Sequence, residues 1–213
     1  MTGHTREEIV LVHGLWFGSW AMFRLARKLE ARGYTVRRIN YRTTRGELAE
    51  HADRLHRFAR QSAAPVQHFV AHSLGGLVVL KMFSLFDDLA PGRVVFLGSP
   101  LQGSLVARKA RKVPGSDVLL GKIQTALHEG FPVLPEEREA GMIAGSRSMG
   151  LGWMVGGTEG PGDGTVAVAE TIAEGLDAHC VLPVTHTGML YSAEVAEKTA
   201  KFLESGRFGS ADA

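Results

Sequence analysis

The sequence predicts an α/β protein, a mostly parallel sheet of about six strands with helices on both faces. Three observations carry that reading. Short apolar runs alternate with longer stretches of helical spacing from one end of the chain to the other. No low-complexity linker or internal repeat interrupts them, and the 213 residues suit one domain with one good core, so 1–213 is taken as a single unit. The apolar fraction of 45% and charged fraction of 22% are those of an ordinary globular protein.

The first run, Glu8 to His13, is an apolar strand, and Ser19 to Arg32 follows with helical spacing and a Gly33 stop. Tyr34 to Tyr41 is the second strand. Gly46 to Ser62 is an amphipathic helix with Leu48, Ala52, Leu55 and Phe58 on one face. Val66 to Val70 is the third strand, Gly75 to Phe83 an apolar helix, and Arg93 to Leu97 a fourth strand closing in Gly98-Ser99-Pro100. From 101 to 137 the pattern loosens under repeated Gly and Pro; a long irregular insertion in a compact domain is usually functional, and it is expected to form a small cap or one wall of a cleft. Ala140 to Gly145 and His179 to Val184 are the last strands. A terminal helix from Ser192 to Leu203 stops at Gly206, with Val195, Thr199, Phe202 and Leu203 inward.

Composition narrows the function. The net charge of +2 is small, and the basic cluster Arg108-Lys109-Ala110-Arg111-Lys112 has no aromatic or glycine-rich companion, so it fits a solvated helix face and nucleic acid is not indicated. No apolar run reaches the roughly 18 residues of a membrane span. The polar start, Met1 to Glu8, lacks the apolar core of a secretory signal, which favours the cytoplasm. A lone Cys180 makes neither an internal disulfide nor a metal cluster, and Asp87-Asp88 fit exposed charges better than a calcium site. No cofactor or metal is implied, and the sequence is silent on oligomeric state.

In a parallel α/β sheet, chemistry collects where strands end. Ser73 sits on the turn between the third strand and its helix, inside Ala71-His72-Ser73-Leu74-Gly75-Gly76. A tight strand-to-helix turn strains the backbone and needs small neighbours, the pattern small-x-Ser-x-Gly. Taken alone, the match equally fits a serine capping a buried helix. A serine hydroxyl also needs a base, itself oriented by a third group. His186 follows the sixth strand, and Asp163 lies in the glycine-rich turn Gly160 to Val166, giving the chain order Ser73, Asp163, His186. Asp177, Glu159 and Glu170 are rival acids, and His179 is a rival base that begins a strand instead of following one. Backbone N–H groups of Leu15, after His13-Gly14, and of Leu74, at the helix start, are the expected oxyanion donors. His13 and His72 are expected to pack or bond within neighbouring structure.

Together these pieces resemble a small α/β-hydrolase of the kind found among compact bacterial lipases and esterases. The resemblance rests on Leu11-Val12-His13-Gly14, the Ser73 segment, Leu97-Gly98-Ser99-Pro100 with Gly103-Ser104, Asp163-Gly164-Thr165-Val166 and His186, and covers nearly the whole chain. It departs from the commoner pattern in carrying Ala71 where Gly is usual, and long lid helices are absent. The resemblance implies a small-molecule ester substrate. Trp16, Phe17, Met154 and Met189, beside Leu15, Trp20, Trp153 and Leu190, would line an acyl pocket, and no arginine-rich wall suits a polyanion. An acyltransferase using the same three residues, or a silent binding module that has kept the fold, are the alternatives.

Overall fold

The computed structural model describes residues 7–110, 120–131, 133–134, 138–149 and 160–209. Its sheet has six strands, all parallel, in the order β2-β1-β3-β4-β5-β6. They are β1 (Glu8–Val12), β2 (Thr35–Arg38), β3 (Gln67–His72), β4 (Val94–Leu97), β5 (Ala140–Gly145) and β6 (Ala178–Leu182). The helices are α1 (Phe23–Glu30), led in by a 3₁₀ turn at Ser19–Met22, α2 (Leu48–Ala59), α3 (Leu74–Leu85), α4 (Leu105–Ala110), α5 (Gln124–Glu129) and α6 (Ala193–Ser205). No helix among the described residues is long and apolar enough to cross a membrane.

Strand alternation divides the core into two layers. Val10, Val12, Phe69, Ala71, Val94 and Phe96 face α2 and α3, whereas Ile9, Leu11, Val70, Val95 and Leu97 face α1 and α6. Leu101, Ala107, Ile123 and Leu127 attach α4 and α5 to the first layer. Helix α3 is apolar all round because it is buried all round, from Leu74 through Leu80. Helix α6 begins where Ser192 Oγ accepts from Val195 N–H and stops where Gly206 turns left-handed at φ 73°.

The structure moves several expected boundaries, each for a visible reason. Strand β3 runs on to His72 because Ala71 and His72 still pair with Phe96 and Leu97. Strand β6 stops at Leu182, before Pro183, which has no N–H to continue a ladder. Strand β2 ends at Arg38; Ile39 N–H still reaches Leu11 O, and the chain then turns under the β1 loop, where the Tyr41 hydroxyl donates to His13 O at 2.6 Å. The buried face of α2 is His51, Ala52, Leu55 and Ala59, with Leu48 and Phe58 at its margins.

The strand order reverses at β1, with β2 on one side and β3 on the other. Loops leaving the carboxyl ends of β1 and β3 therefore part from each other and open a crevice, where α/β sheets bind ligands.

Candidate active site

Ser73 stands in that crevice, between β3 and α3, at φ 55° and ψ −124°. Among the described residues only Ser73 and Trp16 are non-glycines at positive φ, and Trp16 lies on the loop after β1. Such conformations cost on the order of 1–3 kcal/mol each and persist only where their surroundings fix them. The surroundings here are backbone. Ser73 N–H donates to Leu97 O at 2.9 Å and Ser73 O accepts from Gly76 N–H at 3.0 Å. A Cβ on Gly75 would lie 2.6 Å from Val12 O, one on Gly76 would collide with Ser99 Oγ, and one on Gly14 would lie 2.9 Å from Ser73 Cβ. Glycines thus let α3 and the β1 loop close on the serine from both sides.

The β1 loop is tied down from below. His13 Nδ1 donates to Gly14 O at 3.0 Å, and its Nε2 accepts from Tyr41 N–H at 3.4 Å while its ring stacks on Tyr41. Burial pushes the His13 pKa below its ordinary value, which suits this neutral, structural tautomer. Trp16 N–H is spent on Thr43 Oγ1 at 3.1 Å. By contrast, neither Leu15 N–H nor Leu74 N–H donates to a protein acceptor among the described residues. Leu74 is the first residue of a 12-residue helix, whose dipole favours negative charge at that end.

Across the crevice, Asp163 and His186 meet. His186 Nδ1 lies 2.6 Å from Asp163 Oδ2, and Asp163 is 1% exposed against 7% for His186. The other carboxylate oxygen accepts from Thr165 N–H at 2.9 Å and Val166 N–H at 2.8 Å, and His186 N–H donates to Asp163 O at 3.0 Å. Because Nδ1 donates to the carboxylate, the neutral ring keeps its Nε2 lone pair free to take a proton. A Cβ on Gly98, just past β4, would lie 2.9 Å from Asp163 Oδ2 and 3.3 Å from His186 Nδ1, so this glycine makes room for the pair. No hydrogen bond joins Ser73 to His186 among the described residues; in substrate-free enzymes such contacts are often long and tighten in the complex.

The rivals lie elsewhere. Asp177 accepts from Ala140 N–H at the amino end of β5. Glu170 holds the N–H groups of Leu105 and Ala167. His179, within β6, bonds Thr171 Oγ1 at 2.8 Å. Glu159, Trp153 and Met154 fall outside the described residues. Two expected pocket residues require correction. Met189, like Leu190, is fully buried in the core layer beneath α1 and α6, with its Cε against the Gly98 and Gly145 backbone, so it supports the Asp163 loop from behind instead of lining a pocket. Phe17 is half-buried against Trp20 and His72, and Trp16 is 51% exposed. Sequence reasoning assigned no role to Gly98 or Thr43; the Gly98-Ser99-Pro100 turn at a strand end was the signal for the first, and nothing in the sequence pointed to the second.

With this geometry in hand, the sequence profile described as the Alpha/beta hydrolase family matches residues 9–198. The chain belongs to that family. No curated protein matches this hydrolase by sequence. Among solved structures it is similar to a lipase of Bacillus licheniformis in its mature form, with 20% identity and a TM-score of 0.71 over 96% of this chain and 93% of that one. A metagenomic carboxyl esterase gives 19% identity and a TM-score of 0.69, over 86% of the hydrolase and 65% of the esterase. A pyrethroid hydrolase of Sphingobium faniae gives 14% and 0.63, over 93% and 98%. At these identities the likeness is one of fold.

Proposed function

We propose that this hydrolase cleaves carboxylic esters with an apolar acyl group through an acyl-enzyme on Ser73. The observation that carries the reading is the buried Asp163–His186 pair at 2.6 Å on the sheet edge where strained Ser73 stands. Ser73 Oγ bonds to the ester carbonyl carbon while its proton passes to His186 Nε2, and the carbonyl oxygen becomes an oxyanion. The N–H groups of Leu15 and Leu74 receive that charge; removing one such donor costs about 10²-fold to 10³-fold in turnover. The tetrahedral species collapses, the C–O bond to the alcohol breaks, and His186 returns its proton to the departing oxygen. Water then attacks the acyl-enzyme carbonyl and gives its proton to His186; the C–Oγ bond breaks, His186 passes that proton to Ser73 Oγ, and the acid leaves. Asp163 holds the tautomer and stabilises the imidazolium between these steps.

Leu15, Trp16 and Phe17 follow the oxyanion glycine directly and form the apolar wall, each buried CH₂ of an acyl chain contributing about 0.8 kcal/mol. Met154, and the stretch 101–137 as a cap-like wall, would complete it. Three similar structures are named for a lipase, a carboxyl esterase and a pyrethroid hydrolase, names that agree with ester cleavage. The test is hydrolysis of p-nitrophenyl esters from acetate to palmitate by the wild type and by Ser73→Ala. Turnover that is lost in Ser73→Ala supports the reading, and the best chain length measures the wall. Folded protein without turnover on any ester overturns it and moves the assignment to acyl transfer or silent binding.

A further inference from the structure

His72 is used by no step above, yet it is 0% exposed and lies against the reacting groups. Its Nε2 is 3.0 Å from His186 O. A carbonyl only accepts, so Nε2 carries the hydrogen and Nδ1 is a bare lone pair. That Nδ1 has no partner and sits 3.0 Å from where a Gly14 Cβ would be. The two imidazoles lie 4.6 Å apart between centroids, inclined at 45°. Burial first, and the neighbouring His186 second, push the His72 pKa down to about 3, so the ring stays neutral while its neighbour gains and loses a proton.

The bond has a geometric consequence. His72 precedes Ser73 directly and is the last residue of β3, paired with Leu97. His186 sits on a separate loop, whose peptide is held on its N–H side by Asp163 O and on its carbonyl side by His72 Nε2. One hydrogen bond therefore spans from the residue beside the nucleophile to the residue that carries the base. The ring of His186 is oriented by Asp163, and the loop that carries it is joined to the end of β3 by the His72 bond.

We infer that His72 is a positioning residue, whose Nε2–H to the His186 carbonyl fixes the separation of Ser73 Oγ and His186 Nε2. This rests on the proposed roles of Ser73 and His186. Loss of the bond lets the His186 loop relax away from β3, and a displacement near 1 Å at reacting atoms lowers rate by about 100-fold. Phe17 packs against the His72 ring, so the binding wall is left in place where a ring is kept, as in His72→Phe, and there the loss falls on kcat and not on KM.

The experiment is the rate of covalent labelling by a fluorophosphonate, followed by mass, for the wild type, His72→Phe, His72→Gln and His72→Asn, with thermal melts of each. Phe keeps the ring without the donor, Gln places an amide N–H where Nε2 was, and Asn is too short to reach. The expected result is labelling slowed about 100-fold in His72→Phe and His72→Asn and restored to within about 5-fold of wild type in His72→Gln; on esters His72→Phe, which keeps a ring against Phe17, keeps its KM. If His72→Phe does not fold, the Gln and Asn pair carries the comparison. Equal labelling rates in all folded variants, or a Gln variant as slow as Asn at matched stability, overturn the inference while leaving Ser73 and His186 in place. A wild type that never labels overturns both.

Discussion

The two walls of the site are held by different physics. On the Ser73 side, β1, β3 and the start of α3 meet backbone to backbone. Gly14, Gly75 and Gly76 let them approach, and the Ser73 backbone is forced to φ 55°. On the Asp163 and His186 side, the loops after β5 and β6 are joined by hydrogen bonds, between Asp163 and Thr165, Val166 and His186, and between His186 O and His72. The first wall is sensitive to an added carbon, the second to a removed polar atom. The difference follows from topology: the serine sits one residue beyond a central strand, whereas the acid and base sit on longer loops that must be tied individually.

Substitutions sharpen the contrast, and the largest effects fall on the reacting groups. Ser73→Ala or His186→Ala should lower kcat by about 10⁶-fold, with the double variant little worse, as for groups acting as a unit; additive losses in steady-state rates would contradict it. Asp163→Asn keeps the shape but favours the wrong His186 tautomer, and kcat should fall by about 10⁴-fold with an unchanged melt. Gly75→Ala belongs to the other wall. Its Cβ meets the carbonyl oxygens of Val12 and His13 at 2.6 and 2.9 Å, neither of which can swing aside, so stability should drop by about 1–3 kcal/mol and turnover with it. A variant as stable and as active as wild type would break the comparison.

A smaller effect spans both walls. His13, His51, His68, His72 and His179 all have pKa values lowered chiefly by burial. Below about 6.5 the unfolded chain takes up protons that the folded chain refuses, so acid favours unfolding and stability is complete only above that range. His72, pushed down to about 3, costs stability throughout the fall from about pH 6.5 to about pH 3, where the unfolded chain binds a proton that the folded chain does not. Melts recorded from pH 8 to pH 5 should show the midpoint falling on the acid side; a flat profile would contradict burial as the cause. Smallest of all, Ser192→Ala removes the α6 cap, which holds the helix after the His186 loop and none of the bonds of either wall, and should lower stability by about 1 kcal/mol without changing the rate of Ser73 labelling.

The same contrast explains what was legible in the sequence. The nucleophile wall is local: strand, serine, paired glycines and helix are consecutive, so their chemistry is written in one stretch of residues. Asp163 and His186 were readable from their place on turns after strands, and so was their pairing, but the bonds from Asp163 to Thr165 and Val166 and from His186 O to His72 were not. Alternation along β3 says which face His72 occupies and nothing about which distant loop arrives there. Met189 shows the complementary limit, since an apolar residue after the base has the same pattern in a pocket as in a core. Within 101–137 the basic cluster reads as a helix face, and Arg108 and Lys109 do lie on α4, whereas the six residues of α5 are fewer than the window in which helical periodicity emerges.

The central claim is that Ser73 carries the acyl group. Mixing the hydrolase with p-nitrophenyl butyrate, quenching in acid within the first turnovers and mapping tryptic peptides by mass tests it directly. The expected result is one butyryl group on the peptide Gln61–Lys81, at Ser73, that builds up further in a variant slowed in deacylation. Release of p-nitrophenol with that peptide unmodified, or with the acyl group on another residue, would contradict it.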